Sequence, residues 1–292
     1  MTTVAHTLVI GATGTTGSRL VSRLAARGHR VSAASRRATA VGGARPVRFD
    51  WYDSTTYADA LRGADRVYLV PPLGSAEPGT TVLPFLEQAR AAGVRRAVLL
   101  SSSAVPAGGP ATGEIHFALP GLFDEWAVLR PSWFMQNFTG NHLHAQSIRE
   151  DGMFWTATGE GRVAFVDADD IAEVAAHALT DDPAPNTDLL ITGPEALSHG
   201  EIATTLTAVT GRPVTHRHFT HEQLHDRLAE SMPAAFATFL VGLDRAIADG
   251  AEDRTTDTVQ RITGRPPRTF RAHAELVTGP PLPDRLSSTD PA

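Results

Sequence analysis

The sequence predicts an α/β protein: a doubly wound parallel sheet with a smaller, mostly helical C-terminal lobe. Three observations carry this. Residues 8–19 read LVIGATGTTGSR: an apolar run, three glycines at three-residue spacing, then a helical pattern. Short apolar runs then alternate with helical patterns, the order of a parallel sheet covered on both faces. From Ser198 onward helical patterns predominate. These divide the chain into a dinucleotide-binding core (1–155), a mixed segment returning to the sheet (156–197), a substrate lobe (198–280) and a loose tail rich in Pro, Ser and Asp (281–292).

Leu8, Val9 and Ile10 read as a strand buried on both faces. Gly11 suits a sharp turn that a Cβ would hinder. Gly14 suits close approach to a diphosphate, and Gly17 tight packing of the helix on the strand. Free N–H groups at a helix start attract phosphate; Thr13, Thr15 and Thr16 add hydroxyl donors.

A second strand, 31–35, ends at Ser35-Arg36-Arg37, where a dinucleotide fold meets the adenosine ribose. A guanidinium pairs with a 2′-phosphate, so Arg36, with Arg37 beside it, is expected to select NADP(H), and Ser35 to border the same cofactor. A third strand, 47–49, ends at Asp50-Trp51. This pair would either bind and cover adenine, or the Asp would cap a helix near Ser54. A fourth strand, 67–70, runs into Pro71-Pro72, and a fifth, 97–100, into Ser101-Ser102-Ser103. Helices are expected at 55–62, 81–92 and 113–122. A sixth strand, 126–129, leads into RPSWFMQNF (130–138), expected to open a helix at the sheet's carboxyl edge. The strand VAFV (163–166), a helix capped by Asp167 and a strand at 189–192 follow. The lobe adds helices at 199–210, 220–231 and 234–249 and a strand at 213–218.

The 292 residues are 42% hydrophobic and 20% charged, with a net charge of −6, which points to a soluble protein without a broad nucleic-acid surface. There is no cysteine, so disulfides, thiolate nucleophiles and cysteine–zinc sites are excluded. No secretory pattern opens the chain, and no run of about 18 apolar residues is present; a cytoplasmic protein with no membrane association is expected. A homodimer is compatible with the sequence. All 26 basic residues are arginine, so no lysine serves as Schiff base, general base or phosphate clamp.

With GATGTTGSR (11–19), Arg36, RPSWFMQNF (130–138), FVDADDIAEVAAHAL (165–179) and TGPEALSHGEIA (192–203), the chain resembles the NmrA-like, atypical short-chain dehydrogenase/reductase family. The resemblance implies a Rossmann fold with a C-terminal substrate lobe and NADP(H) bound at 11–17 and 36. It also implies that Pro131 and Phe134 lie beside the nicotinamide. Members of the family include imine or enone reductases of the ergot-alkaloid type, quinone reductases and cofactor-ratio sensors.

Short-chain dehydrogenases with a Tyr-x-x-x-Lys pair use the lysine to lower the tyrosine pKa for proton donation. Only Tyr52, Tyr57 and Tyr68 are present, and no lysine; that mechanism is excluded. What remains is hydride transfer to an acceptor that is already electrophilic: an iminium ion, a quinone or a conjugated enone. Such a reaction belongs in secondary metabolism or detoxification. A redox sensor with a protein partner, and a non-redox isomerase or cyclase, are the alternatives. Candidates for proton donation or orientation are His116, read as a partly exposed helix residue, Asn137 and Ser102. Trp133, Phe134, Asn137 and His144 are expected to line the pocket, the last two on one helical face. His221-Glu222-Gln223-Leu224-His225 matches the H-E-x-x-H zinc signature. The match is short, polar and without an evident third ligand, so no metal is expected.

Overall fold

The computed structural model describes residues 5–72, 74, 75 and 77–278; the expected tail at 281–292 lies outside them. Strand β1 (His6–Ile10) leads through the glycine turn into α1 (Thr15–Ala26). Then come β2 (Arg30–Ser35), β3 (Arg45–Arg48), α2 (Tyr57–Leu61), β4 (Arg66–Leu69), α3 (Gly79–Ala91), β5 (Arg96–Leu100), α4 (Gly113–Leu122) and β6 (Glu125–Pro131). The chain continues through α5 (Leu143–Asp151), β7 (Met153–Thr156), β8 (Arg162–Val163), α6 (Ala168–Thr180) and β9 (Thr187–Ile191). It ends with β10 (Leu197–Ser198), α7 (His199–Thr210), β11 (Thr215–His218), α8 (His221–Ala229), α9 (Ala234–Ala248), α10 (Thr258–Thr263) and α11 (Phe270–Thr278).

Seven strands form one parallel sheet in the order β3-β2-β1-β4-β5-β6-β9. This is the doubly wound order, with one strand added at the far edge. Alternate residues of β1 serve opposite faces. Leu8 and Ile10 join Phe85, Leu86 and Ile115 under α2 to α4. Val9 joins Leu20, Tyr68 and Ile171 under α1 and α6. Both faces are therefore dry, which is why the strands read as unbroken apolar runs.

The segment after β6 departs from expectation. Strand β6 runs on to Pro131, opposite Ile191, and RPSWFMQNF opens no helix there. It forms one 3-10 turn at Met135–Asn137, and α5 starts only at Leu143. The reason is a backbone tie: Val166 N–H donates to the Trp133 carbonyl at 2.9 Å, and Met135 N–H to the Val166 carbonyl at 3.0 Å. That holds Phe134 extended. Asn137 and His144 consequently sit in different elements rather than on one helical face. Only the start of VAFV is a strand: Val163 pairs with Leu197, while Val166 makes the tie.

The lobe holds more than helices. Strand β7 pairs in parallel with β11, Phe154 opposite His216. Beneath it Met135, Phe138, Phe154, Phe165, Ile202 and Phe270 form a third apolar cluster.

One buried carboxylate joins these parts. Asp167 caps α6 through the Asp169 N–H at 2.8 Å. It also accepts from Gln136 Nε2 at 2.8 Å and His273 Nδ1 at 3.0 Å, and pairs with Arg268. His273 Nε2 in turn meets Thr139 Oγ1 at 2.8 Å. Burial alone would raise the Asp167 pKa; the bonds from His273, Asp169 and Gln136 outweigh it and hold the group well below the usual carboxylate range. Its stabilisation is therefore fully present above the unfolded value, about 3.9, and is lost as pH falls through the lower folded value. Asp167→Asn removes the anion that His273 contacts and leaves Arg268 only its longer contact to Asp169 at 3.4 Å; it is expected to cost about 3 kcal/mol. Urea denaturation at pH 7 measures it; a loss under about 1 kcal/mol would show that the network does not hold the lobe.

Candidate active site

The glycine turn lies at the carboxyl end of β1. Gly11 has φ +74°, and a Cβ there would stand 3.0 Å from the Val70 Cβ. Gly17 has less room: its Cβ would stand 2.2 Å from the Gly11 carbonyl oxygen. Gly14 caps α1 without a side-chain bond, and no acid occupies the first turn. The N–H groups of Thr15, Thr16 and Gly17 have no acceptor inside the helix. A cradle that a Cβ would fill, lined by free donors at a positive helix end, fits the diphosphate of a dinucleotide. Thr13 and Thr15 are exposed beside it. Thr16 is buried, and its Oγ1 accepts from Tyr68 Oη at 3.1 Å, so this hydroxyl braces β4.

Beyond β2, Ser35 Oγ accepts the Thr39 N–H at 3.0 Å, while Arg36 and Arg37 are exposed. Arg48 is claimed by Asp53 at 3.0 Å; among the described residues neither Arg36 nor Arg37 has such a partner. Of the two roles weighed for Asp50, helix capping falls instead to Asp53, which accepts from Thr55 N–H at 3.2 Å. Asp50 closes a local turn onto Tyr52 N–H. Trp51 donates to the Val70 carbonyl at 3.0 Å and stands edge-on to Phe49 and Phe85. Its ring belongs to the edge of the core. Pro71 is buried after β4, and Pro72 half-buried. Ser101 Oγ bonds Thr112 Oγ1 at 2.7 Å, and Ser102 Oγ accepts from Ala104 N–H at 3.3 Å.

A cleft of about 120 Å³, partly open to solvent, lies between the post-β6 segment and the lobe. Trp133, Asn137 and Phe138 form one wall, and His142 to His144 its rim. Opposite are Trp155 of β7, Leu224 and Leu228 of α8, and Leu240, Asp244 and Ile247 of α9. Phe138 packs edge-on to Phe154 and Phe165, both centroids at 5.2 Å, and stacks on His144. Trp133 Nε1 and His144 Nδ1 are buried with no hydrogen-bond partner. The expected lining residues Trp133, Asn137 and His144 thus come together. Phe134 packs on the sheet cluster instead, and Pro131 ends β6.

A family model described as NAD(P)H-binding matches residues 11–182. An uncharacterized oxidoreductase, YesF, of Bacillus subtilis (strain 168) is 46% identical over 268 residues, covering 91% of this chain and 93% of the relative. Festuclavine synthase II of Penicillium roqueforti (strain FM164) is 35% identical, covering 92% and 96%. Among solved structures, the NADPH-dependent quinone oxidoreductase QOR2 of Escherichia coli, complexed with NADPH, superposes with a TM-score of 0.78 at 22% identity, over 92% of this chain and 99% of that one. The chain belongs to the NAD(P)H-binding, NmrA-like family of oxidoreductases.

None of the three tyrosines is among the cleft residues. Tyr68 is fully buried, with burial raising its pKa further; Tyr57 donates to the Trp51 carbonyl, and Tyr52 is on the surface. His116 is not partly exposed, as expected from sequence, but 6% exposed on α4, with Nδ1 unpartnered. Burial lowers its pKa, and it is not among the cleft residues. The H-E-x-x-H helix turns Leu224 and Leu228 into the cleft. Among the described residues no three His, Cys, Asp or Glu side chains gather to hold a metal ion. No described helix is long and apolar enough to cross a membrane.

Sequence reasoning missed Trp155, His199 and Asp244. Asp244 left a signal: it is the only acid in α9, AAFATFLVGLDRAIA. His199 and His216 join through hydroxyls: His199 Nδ1 to Thr158 Oγ1 at 3.0 Å, Thr158 to Thr156 at 2.8 Å, and Thr156 to His216 Nε2 at 2.8 Å. Burial, then the neighbouring histidines, pushes His199 down to about 3 and His216 down to about 4. An unfolded histidine titrates near 6.5, at about which pH the folded rings are still neutral. Below that the unfolded chain binds more protons, so this stabilisation is complete above about pH 6.5 and declines as pH falls toward the folded values. The urea midpoint is expected to drop between pH 7 and pH 5, and less steeply in His199→Gln; parallel profiles would show the ring is freely protonated.

Gly17→Ala forces the helix start away from Gly11. A melting temperature lowered by several degrees, equivalent to about 1–3 kcal/mol, and weakened NADPH binding are expected. Unchanged melting and binding would show that the turn has slack.

Proposed function

We propose that the chain is an NADPH-dependent reductase of a small, flat electrophile: an iminium ion, a quinone or a conjugated enone. The observation that carries this is the course of residues 131–138. The same segment ends β6 at the sheet's carboxyl edge and then walls the aromatic cleft. Ligands of open α/β sheets bind at that edge. The names of the relatives, festuclavine synthase and quinone oxidoreductase, support the reading.

Gly11, Gly14 and Gly17, with Thr13, Thr15 and the free N–H groups of α1, would hold the diphosphate. Ser35, Arg36 and Arg37 would take the 2′-phosphate, and Pro71, Pro72 and Ser101 would border the cofactor. Pro131 and Phe134 would lie on its nicotinamide side. When bound, NADPH supplies a hydride. The chain's own contribution is to bind and orient: Trp133 and Phe138 present ring faces, and Asn137 offers an amide. Burial keeps His144 neutral, so it adds no charge. With no lysine and no cleft tyrosine, the acceptor must bring its own electrophilicity. A sensor whose output is a protein contact has no need of such a cleft.

Purified protein is expected to oxidise NADPH with at least one of menadione, a cyclic iminium ion or an aryl enone; no turnover with any would refute the reading. Arg36→Asp is expected to weaken NADPH binding by about 1.5–3 kcal/mol and to affect NADH less. Unchanged NADPH affinity by calorimetry would place the 2′-phosphate elsewhere.

A further inference from the structure

Among the described residues the cleft holds a single acidic side chain, Asp244. It stands on α9 between Leu240 and Ile247, which line the same space. Its Oδ2 accepts the Ala157 N–H at 2.7 Å, which fixes the carboxylate in the cleft and leaves most of its acceptor capacity free. Among the described residues no basic group lies within 4.0 Å to form an ion pair with it. A half-buried carboxylate without a fixed cation is costly unless something else supplies the charge.

We propose that Asp244 is the counter-ion of the substrate: the cleft takes a flat aromatic cation, its charged nitrogen against this carboxylate, in preference to a neutral molecule of the same outline. The inference rests on the reading of the cleft as the substrate site, and narrows its three electrophile classes to the charged one.

Four further observations agree. The walls are aromatic, and ring faces attract cations; Arg227 already lies over the Trp155 ring at 5.7 Å, though it is not among the cleft residues. The other ionisable groups lining the cleft, His142, His144 and His199, are held toward neutrality by burial. They place no fixed positive charge beside Asp244; His221 on α8 interacts favourably with the carboxylate but forms no ion pair with it within 4.0 Å. Burial raises the Asp244 pKa, opposed by the Ala157 N–H and by His221; a bound cation would lower it again. Trp133 Nε1, a buried donor without a partner, calls for an acceptor atom elsewhere on the same ligand.

The test uses the full chain saturated with NADP⁺ and two probes of one outline, N-methylquinolinium and 1-methylnaphthalene, titrated by calorimetry. Wild type is expected to prefer the cation. Asp244→Asn keeps an oxygen for the Ala157 N–H; it should weaken the cation roughly tenfold and leave the naphthalene within about twofold. Should that variant fold poorly, Leu240→Lys sets a fixed positive charge on the same helix face and, although it also alters the apolar wall, should weaken the cation more than the naphthalene. Equal affinities in wild type, or a variant that weakens both probes alike, overturns the proposal. The two readings fail separately. Selective cation binding with no NADPH oxidation by any electrophile refutes the reductase and leaves the counter-ion standing. Turnover of menadione and an iminium ion, slowed equally by Asp244→Asn, keeps the reductase and refutes the counter-ion.

Discussion

The two hydrogen bonds between Val166 and the backbone of Trp133 and Met135 decide where everything functional lies. Without them the chain leaving β6 could continue as a helix, carrying Trp133 and Phe138 away from the lobe. With them, Phe134 is held extended against the sheet while its neighbours face the cleft. Asp167, the next residue but one after Phe165, locks the arrangement from one side through Gln136 and from the other through His273 and Arg268. A carboxylate this buried is tolerated only because every surrounding contact is a donor or a cation. The same group that starts α6 thus fixes one wall of the cleft.

That lock has a consequence for electrostatics. The lobe brings His144, His199 and His216 against Phe138 and Phe154. Burial then strips them of charge at neutral pH, since a second and third imidazolium in one dry cluster would repel the first. The packing thus makes much of this cluster neutral, and among the described residues Asp244 is left as the acidic group that faces the cleft.

Much of the core was legible because its signals are local. An apolar run of two-sided burial, a glycine with no room for a Cβ and a capping Asp each act over a few residues. The strands ending at Ser35 and Leu100 and the helix at 113–122 follow from such signals. The post-β6 segment did not, because its conformation is set by a partner some thirty residues away. Local propensity favoured a helix there, and a tertiary backbone bond overrode it. Trp51 was not legible for a related reason: nothing local in the sequence announces its bond to the neighbouring strand's carbonyl. Strand β7 escaped because MFWT shows no polar alternation, and its pairing partner, β11, lies across the whole of α6 and α7.

The absence of lysine turns from a compositional oddity into a chemical constraint at this point. A carbonyl reductase must lower the cost of the developing alkoxide, usually with a proton from an acid whose pKa is tuned toward neutrality. Here the only wholly buried phenol, Tyr68, is moved the wrong way, and it is spent on Thr16. The cleft's imidazoles are moved down, and so are poor proton reservoirs. A positively charged acceptor removes the problem, because hydride addition to an iminium carbon discharges the substrate and creates no anion to be stabilised. For the cationic substrate proposed above, the demand on the protein would be to hold a cation flat beside the sheet edge, and aromatic walls with one carboxylate among them would suit that demand.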